Sequence, residues 1–145
     1  INEEIRTDLA TIPDQLNWLV LTEAWCGDAA QNIPILSKMA NASSKIHLRF
    51  LLRDENLEVM DQYLTNGGRA IPKLIVLDQD FNEIASWGPR PSEVQNMVLE
   101  NKRTASLPYS EFAKVVQKWY AKDKGETLQR EMMEILQRIS CLLDE

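Results

Sequence analysis

The sequence predicts an α/β fold, with a mixed central sheet of about four strands followed by a C-terminal helical hairpin. Short apolar runs of strand length alternate with segments whose apolar residues recur at helical spacing. The 145 residues suit one packed domain, and 44% hydrophobic and 26% charged residues are typical of globular proteins. We expect residues 1–105 to form the α/β body and residues 106–145 to form a helical extension packed on it.

Helices and strands alternate in the first half of the chain. Ile1, Ile5 and Leu9 repeat every four residues, and this pattern stops before Pro13, which predicts a short amphipathic helix. The elements after it are predicted from apolar runs, alternation and helical spacing. They are a strand buried on both faces at 18–21, a helix at 29–42 kinked by Pro34, an alternating strand at 46–52 and a helix at 56–63.

The second half is predicted to complete the sheet and then to become helical. Leu74 to Leu77 form a continuous apolar run, which is typical of a buried central strand, here at 73–78. The polar turn at 79–82 is short enough for residues 83–87 to return as an antiparallel strand. Three helices should follow: one capped by Ser92 over 93–100, one from Pro108 through Trp119, and one after Gly125 whose apolar face comprises Leu128, Met132, Ile135, Leu136, Ile139 and Leu142.

Charge and hydropathy argue against two classes of partner. The 16 Lys and Arg residues against 22 Asp and Glu residues give a formal net charge of -6, so a phosphate backbone would be repelled and no nucleic-acid partner is expected. No apolar run approaches the roughly 20 residues of a membrane span, and no membrane partner is expected. The acidic turns lack the spacing of a calcium loop, and neither a metal nor a cofactor is predicted.

The residues that can carry chemistry lie at 25–29, Trp-Cys-Gly-Asp-Ala, where a buried strand gives way to a helix. This position places the sulfur of Cys26 at a helix N-terminus, where unpaired N–H groups and the helix dipole favour a thiolate. A cysteine at such a junction can equally be a small buried hydrophobe. The segment alone leaves both interpretations open.

This segment resembles the active-site region of thioredoxins, Trp-Cys-Gly-Pro-Cys, and the resemblance extends past it. Pro34 matches the proline that kinks the active-site helix of that family. Ile71-Pro72 resembles the family's cis-proline, which faces the thiol, and Gly88 matches a glycine that lines the substrate groove. The resemblance covers about residues 19–100, and it implies a thioredoxin-like three-layer fold and a role in cell redox homeostasis.

The resemblance also implies which residues form the site. Cys26 would be the catalytic residue, with Trp25 shielding one side of its thiol. The backbone around Ile71-Pro72 would bind an extended peptide substrate. The groove residues implied in this way are Trp25, Gly27, Asp28, Ile71, Pro72, Gly88 and Arg90.

The chain departs from the thioredoxin pattern at the residues that release substrate. Ala29 stands where the second cysteine is expected and Asp28 where the proline is expected. The family's buried acid corresponds to Val20, and the lysine partner of that acid to about Phe50. A two-cysteine redox cycle is therefore not available, and an external thiol would have to complete any exchange.

Asp28 and Arg90 each have more than one interpretation. An acid in the first turn stabilises a helix whatever the cysteine does, while its carboxylate also opposes a nearby thiolate. Arg90 can offset that charge or hold an anionic group of a substrate. Its commonest role at such a position is that of a solvated surface arginine.

Other candidate residues carry weaker signals. His47, the only histidine, is expected on a strand surface rather than in a Cys-His pair. Cys141 falls on the polar side of the last helix, and we expect it outside the core. Trp119, Tyr120 and the methionines at 132–133 have the spacing of core residues, although they can also shape a partner groove. The C-terminal helices can accordingly serve as a homodimer interface.

Two functions remain open on the sequence. The first is a cytoplasmic monothiol protein in which Cys26 attacks protein or small-molecule disulfides and an external thiol resolves the product. The second is a redox-inactive binding module that keeps the groove for a protein partner. The cytoplasmic assignment is an expectation only, because the chain begins at Ile1 without an initiator Met, which leaves a removed leader segment open.

Overall fold

The computed structural model describes residues 1–143, which form a four-stranded mixed sheet with six helices. The strands are β1 (Leu16–Thr22), β2 (Ile46–Leu52), β3 (Lys73–Leu77) and β4 (Glu83–Trp87). The helices are α1 (Glu3–Ala10), α2 (Gly27–Asn41), α3 (Leu57–Met60), α4 (Ser92–Thr104), α5 (Tyr109–Asp123) and α6 (Glu126–Leu143).

The sheet has the order β2-β1-β3-β4, with β1 at its centre. β1 runs parallel to β2 and antiparallel to β3, and β3 runs antiparallel to β4. A parallel pair needs a crossover connection, which α2 supplies between β1 and β2. The predicted α/β class with a mixed four-stranded sheet is confirmed.

The larger core lies on the face of the sheet that α1, α2 and α6 cover. Trp18 and Val20 of β1 are fully buried there, and Leu36 of α2 packs against them. Alternate residues of a strand point to opposite faces, so the neighbouring β1 residues face the other side. The residues on that other side contribute to a second, smaller core.

That smaller core surrounds the segment between β2 and β3. It contains four buried residues: Leu21, Met60, Ile71 and Ile75. Cys26 packs at its edge and is partly buried. The predicted helix at 56–63 is shorter in the structure, because α3 ends at Met60 and the chain then turns.

The two C-terminal helices contact different parts of the body. The main contacts of α6 are with α1, α2 and β4, and it contributes Leu128 and Met132 to the larger core. The main contacts of α5 are with α4, and Tyr120 is its one residue classed as buried. Leu142, predicted on the apolar face of the last helix, is 56% exposed, and the neighbouring Cys141 is exposed as well, whereas Ile139 is 1% exposed.

The helix starts differ in detail from the sequence expectation. Ser92 was expected to cap α4, but it is the first helical residue, and Pro91 occupies the capping position. Pro34 lies inside α2, as predicted.

Among residues 1–143, no helix combines the length and the apolar composition that a membrane crossing requires. The same residues hold no group of three His, Cys, Asp or Glu side chains placed to bind a metal ion.

Candidate functional site

Cys26 occupies the turn between β1 and α2. It occupies the N-cap position of α2 with an extended backbone (φ -77°, ψ 123°), and its side chain makes no hydrogen bond to the N–H groups of the first helical turn. The Cys26 Sγ donates a hydrogen bond to the backbone oxygen of Ile71 over 3.4 Å. The preceding residue, Trp25, is 66% exposed, so one side of the turn is open to a partner.

The Ile71 carbonyl belongs to a segment that is packed tightly against Gly88. The Ile71–Pro72 and Gly88–Pro89 peptide bonds are both cis. Gly88 has φ 118°, and a Cβ placed on it would lie 2.3 Å from the Pro72 carbonyl oxygen. The structure therefore brings Cys26, Ile71, Pro72 and Gly88 together, with a glycine required at position 88.

Asp28 lies in the first turn of α2 and forms an ion pair with Arg90. The Asp28 Oδ2 accepts hydrogen bonds from Arg90 Nη2 over 2.8 Å and from Arg90 Nε over 3.2 Å. Only 18% and 19% of the two side chains are exposed. Arg90 also donates through Nη1 to Gln95 Oε1 over 2.8 Å. Of the interpretations of Arg90, the structure shows the one in which it offsets the charge of Asp28. The commoner solvated arginine is wrong here, because the segment after β4 turns the guanidinium toward α2.

Two residues that the sequence did not assign to the site complete this arrangement. The Tyr120 hydroxyl donates to Asp28 Oδ1 over 2.9 Å. Asn32, fully buried on α2, donates through Nδ2 to the Asp28 carbonyl over 2.8 Å and to the Tyr120 hydroxyl over 3.1 Å. The spacing of Asp28, Asn32 and Leu36 places Asn32 on the inner face of α2, and a polar residue on that face was the available signal.

The phenol of Tyr120 is held in its neutral form. Burial raises the pKa of Tyr120, and the nearby Asp28 carboxylate raises it further. A neutral phenol keeps its proton for the hydrogen bond to Asp28, which is one of the stronger kinds because its acceptor is charged. The contact ties α5 to α2 across 92 residues of sequence.

This pKa shift predicts how stability depends on alkaline pH. Because the pKa of Tyr120 is higher in the folded than in the unfolded chain, its stabilisation is complete below about pH 10 and is lost as pH rises above that value. The free energy of unfolding, measured with urea, should fall by up to about 1.4 kcal/mol more per pH unit above pH 10 in the wild type than in Tyr120→Phe. Tyr109→Phe is the matched control, since Tyr109 is 86% exposed on the same helix. If the free energy of unfolding falls equally with pH in the wild type and in Tyr120→Phe, Tyr120 does not have the raised pKa.

On the other side of the turn, Trp25 stacks with Arg53. The Arg53 guanidinium lies 5.0 Å from the centroid of the Trp25 ring, within reach of a cation–π interaction. Arg53 also pairs with Asp54 and donates to the Arg69 carbonyl. The tryptophan is therefore oriented beside the thiol while most of its surface remains exposed.

The residues that stand where the resemblance expects a second cysteine, a buried acid and its lysine partner differ in burial. Ala29 is 4% exposed in the first turn of α2, Val20 is fully buried, and Phe50 is 48% exposed. Cys141 is exposed and, like Cys26, is a free cysteine. The prediction that Cys141 lies outside the core is confirmed.

His47 and Lys73 have partners away from the thiol. The His47 Nε2 lies 2.8 Å from Gln15 Oε1, at the start of β2, whereas Cys26 follows the end of the parallel strand β1. The Lys73 Nζ donates to Thr65 Oγ1 over 3.2 Å and to the Gly88 carbonyl over 3.4 Å. Burial lowers the pKa of Lys73, and the charge of Glu83 partly offsets this effect.

Comparisons with known proteins agree on the fold. A family model described as thioredoxin matches residues 1–124. A protein of unknown function from Pseudomonas aeruginosa is similar with a TM-score of 0.71 at 22% identity, covering 94% of this chain and 74% of its own. An HIV epitope scaffold is similar with a TM-score of 0.68 at 20% identity, over the same 94% and 74%. At these identities the two likenesses concern the fold alone. No curated protein matches this chain.

Proposed function

We propose that this chain, which belongs to the thioredoxin family, handles disulfides through the single thiol of Cys26, with an external low-molecular-weight thiol as the resolving partner. One observation carries the proposal. Cys26 occupies the N-cap position of α2, with its Sγ 3.4 Å from the carbonyl oxygen of Ile71, and Ala29 stands where a second cysteine would be needed. A nucleophile with a groove but without an internal resolving thiol fits exchange in two separate steps.

The first step forms a mixed disulfide. The Cys26 thiolate attacks one sulfur of a substrate disulfide, the new Sγ–S bond forms, and the other substrate sulfur leaves as a thiolate that takes up a proton. In the second step a small-molecule thiolate attacks the substrate sulfur of the adduct. Cys26 is released as a thiolate, and the small thiol is left in a new disulfide with the substrate, so no net electron source is needed.

The groove would select extended peptides or small disulfides. The backbone of Ile71 and Pro72 offers main-chain groups to an extended segment, and Gly88 allows close approach. Trp25 adds an exposed aromatic surface next to the thiol. Protein and small-molecule thiols and disulfides are therefore the proposed partners.

Capture of the adduct tests the proposal. In a Cys141→Ser background, native protein treated with a small symmetric disulfide at about pH 7 should gain one adduct by intact mass, and added free thiol should remove it. Cys26→Ser should gain none. If Cys26 forms the adduct no faster in the native than in the urea-unfolded protein, the thiol is not an activated nucleophile and the proposal fails.

The Cys26–Ile71 contact favours a second function. In this contact the Sγ of Cys26 is already engaged as a hydrogen-bond donor to the protein's own backbone. The groove would then serve a redox-inactive binding module, with Trp25 as an exposed anchor. In that case a peptide ligand binds Cys26→Ser as tightly as the wild type and Trp25→Ala more weakly, whereas the monothiol function requires loss of covalent capture in Cys26→Ser.

A further inference from the structure

Both carboxylate oxygens of Asp28 are occupied by side chains from distant parts of the chain. Oδ2 accepts from Arg90, which follows β4, and Oδ1 accepts from Tyr120, which lies on the C-terminal helix α5. The ion pair is mostly buried, with 18% of the Asp28 side chain exposed. The carboxylate two residues after Cys26 is thus fixed in place rather than free in solvent.

We propose that Tyr120 is a positioning residue for Cys26 that acts through Asp28. Its hydroxyl holds the carboxylate against Arg90 and withdraws part of its negative charge, and the thiolate of Cys26 then forms more readily. The proposal rests on the proposed function, in which Cys26 reacts as a thiolate. It makes the C-terminal helix α5 a part of the site.

The direction of the hydrogen bonds supports this role. Asn32 Nδ2 donates to the Tyr120 oxygen, so the phenolic hydrogen is directed to Asp28 Oδ1. Asn32 also donates to the Asp28 carbonyl, which fixes the backbone of the same residue. A neutral phenol between an amide donor and a carboxylate acceptor is therefore oriented from both sides.

Other ionisable groups near the turn already have partners. Glu23 accepts from the backbone N–H of Asp54, Arg53 lies over Trp25 and pairs with Asp54, and Lys73 donates to Thr65 and to the Gly88 carbonyl. Among the described residues, Asp28 with its two donors is the charged group in the same helical turn as the thiol. Loss of one of these two donors should therefore change the reactivity of Cys26.

A double-mutant cycle tests the proposal through the alkylation rate of Cys26. All variants carry Cys141→Ser, and the iodoacetamide rate at about pH 7 is divided by the rate at about pH 10, where an ordinary thiol is ionised. Tyr120→Phe should lower this ratio at least about threefold. In an Asp28→Asn background the same change should leave the ratio unaltered, because no carboxylate remains to be held. Tyr109→Phe, on the exposed side of α5, is the matched control.

Two results would overturn the positioning role: an unchanged ratio in Tyr120→Phe, which includes an equal slowing at both pH values, or the same loss of the ratio in the Asp28→Asn background. Wild-type Cys26 that reacts no faster than the unfolded chain would instead contradict the proposed function. Should Tyr120→Phe fail to fold, a ring-fluorinated tyrosine at position 120 provides the second variant. Its more acidic hydroxyl is a stronger donor and should raise the ratio, whereas an unchanged or lowered ratio would refute the role.

Discussion

Replacing Ala29 with cysteine should shorten the lifetime of a mixed disulfide on Cys26 by roughly a hundredfold or more. Residue 29 lies in the same first turn of α2 as the capping Cys26, three residues further along. A thiol held there is at a very high effective concentration relative to any free thiol, since oriented intramolecular groups reach about 10⁵ M and above in favourable cases. It would expel the bound substrate and leave Cys26 in a disulfide with the introduced thiol within the chain.

The measurement follows decay of the adduct after excess disulfide is removed, with intact mass read over time. Gln31→Cys is the matched control: it adds the same thiol five residues after Cys26, on an exposed helix position that is rotated away from Cys26. The prediction is contradicted if the Ala29→Cys and Gln31→Cys adducts decay at the same rate. Because Ala29 is 4% exposed, the added sulfur also has to fit the core, and urea unfolding should confirm that the variant stays folded.

The strands and long helices were predictable because burial and local spacing decide them together. Residues 46–52 and 83–87 were predicted as strands and form β2 and β4 with those bounds. Alternation in β2 carries this information because the strand lies at the edge of the sheet with one face partly exposed. The predicted helix extended too far, since Tyr63 follows Val59 and Met60 at helical spacing although the chain turns after Met60.

The site was predictable where a local motif carries it and not where distant side chains meet. Cys26 and Gly88 were assigned from the turn and from a resemblance, which are properties of short segments. The Asp28–Tyr120 hydrogen bond joins residues that are 92 positions apart in the sequence. The periodicity of a helix shows which of its residues face the core, but not which side chain of another element they contact. The pairing of Arg90 with Asp28 stayed one of several alternatives for the same reason, because this partner on α2 is fixed only when the segment after β4 folds back.

Gly88 lies directly against the backbone of the Pro72 segment. Gly88→Ala should destabilise the protein by about 3 kcal/mol or more, since the added methyl would lie 2.3 Å from the Pro72 carbonyl oxygen and the residue has φ 118°. Both causes act on backbone, which cannot rotate away as a flexible side chain does. The Pro72 segment would have to move, and with it the Ile71 carbonyl that faces Cys26.

Urea unfolding measures this effect, and the midpoint should fall by about 1 M or more, given the usual dependence of stability on urea for a chain of this size. Gly27→Ala is the matched control for stability, because a methyl there would meet nothing within 4 Å and the residue already lies in the first turn of α2. A Gly88→Ala variant as stable as Gly27→Ala would refute the close approach. The Pro72 segment also carries the Ile71 carbonyl that faces the thiol. The folded fraction of Gly88→Ala should therefore form the mixed disulfide with a small disulfide more slowly than the wild type.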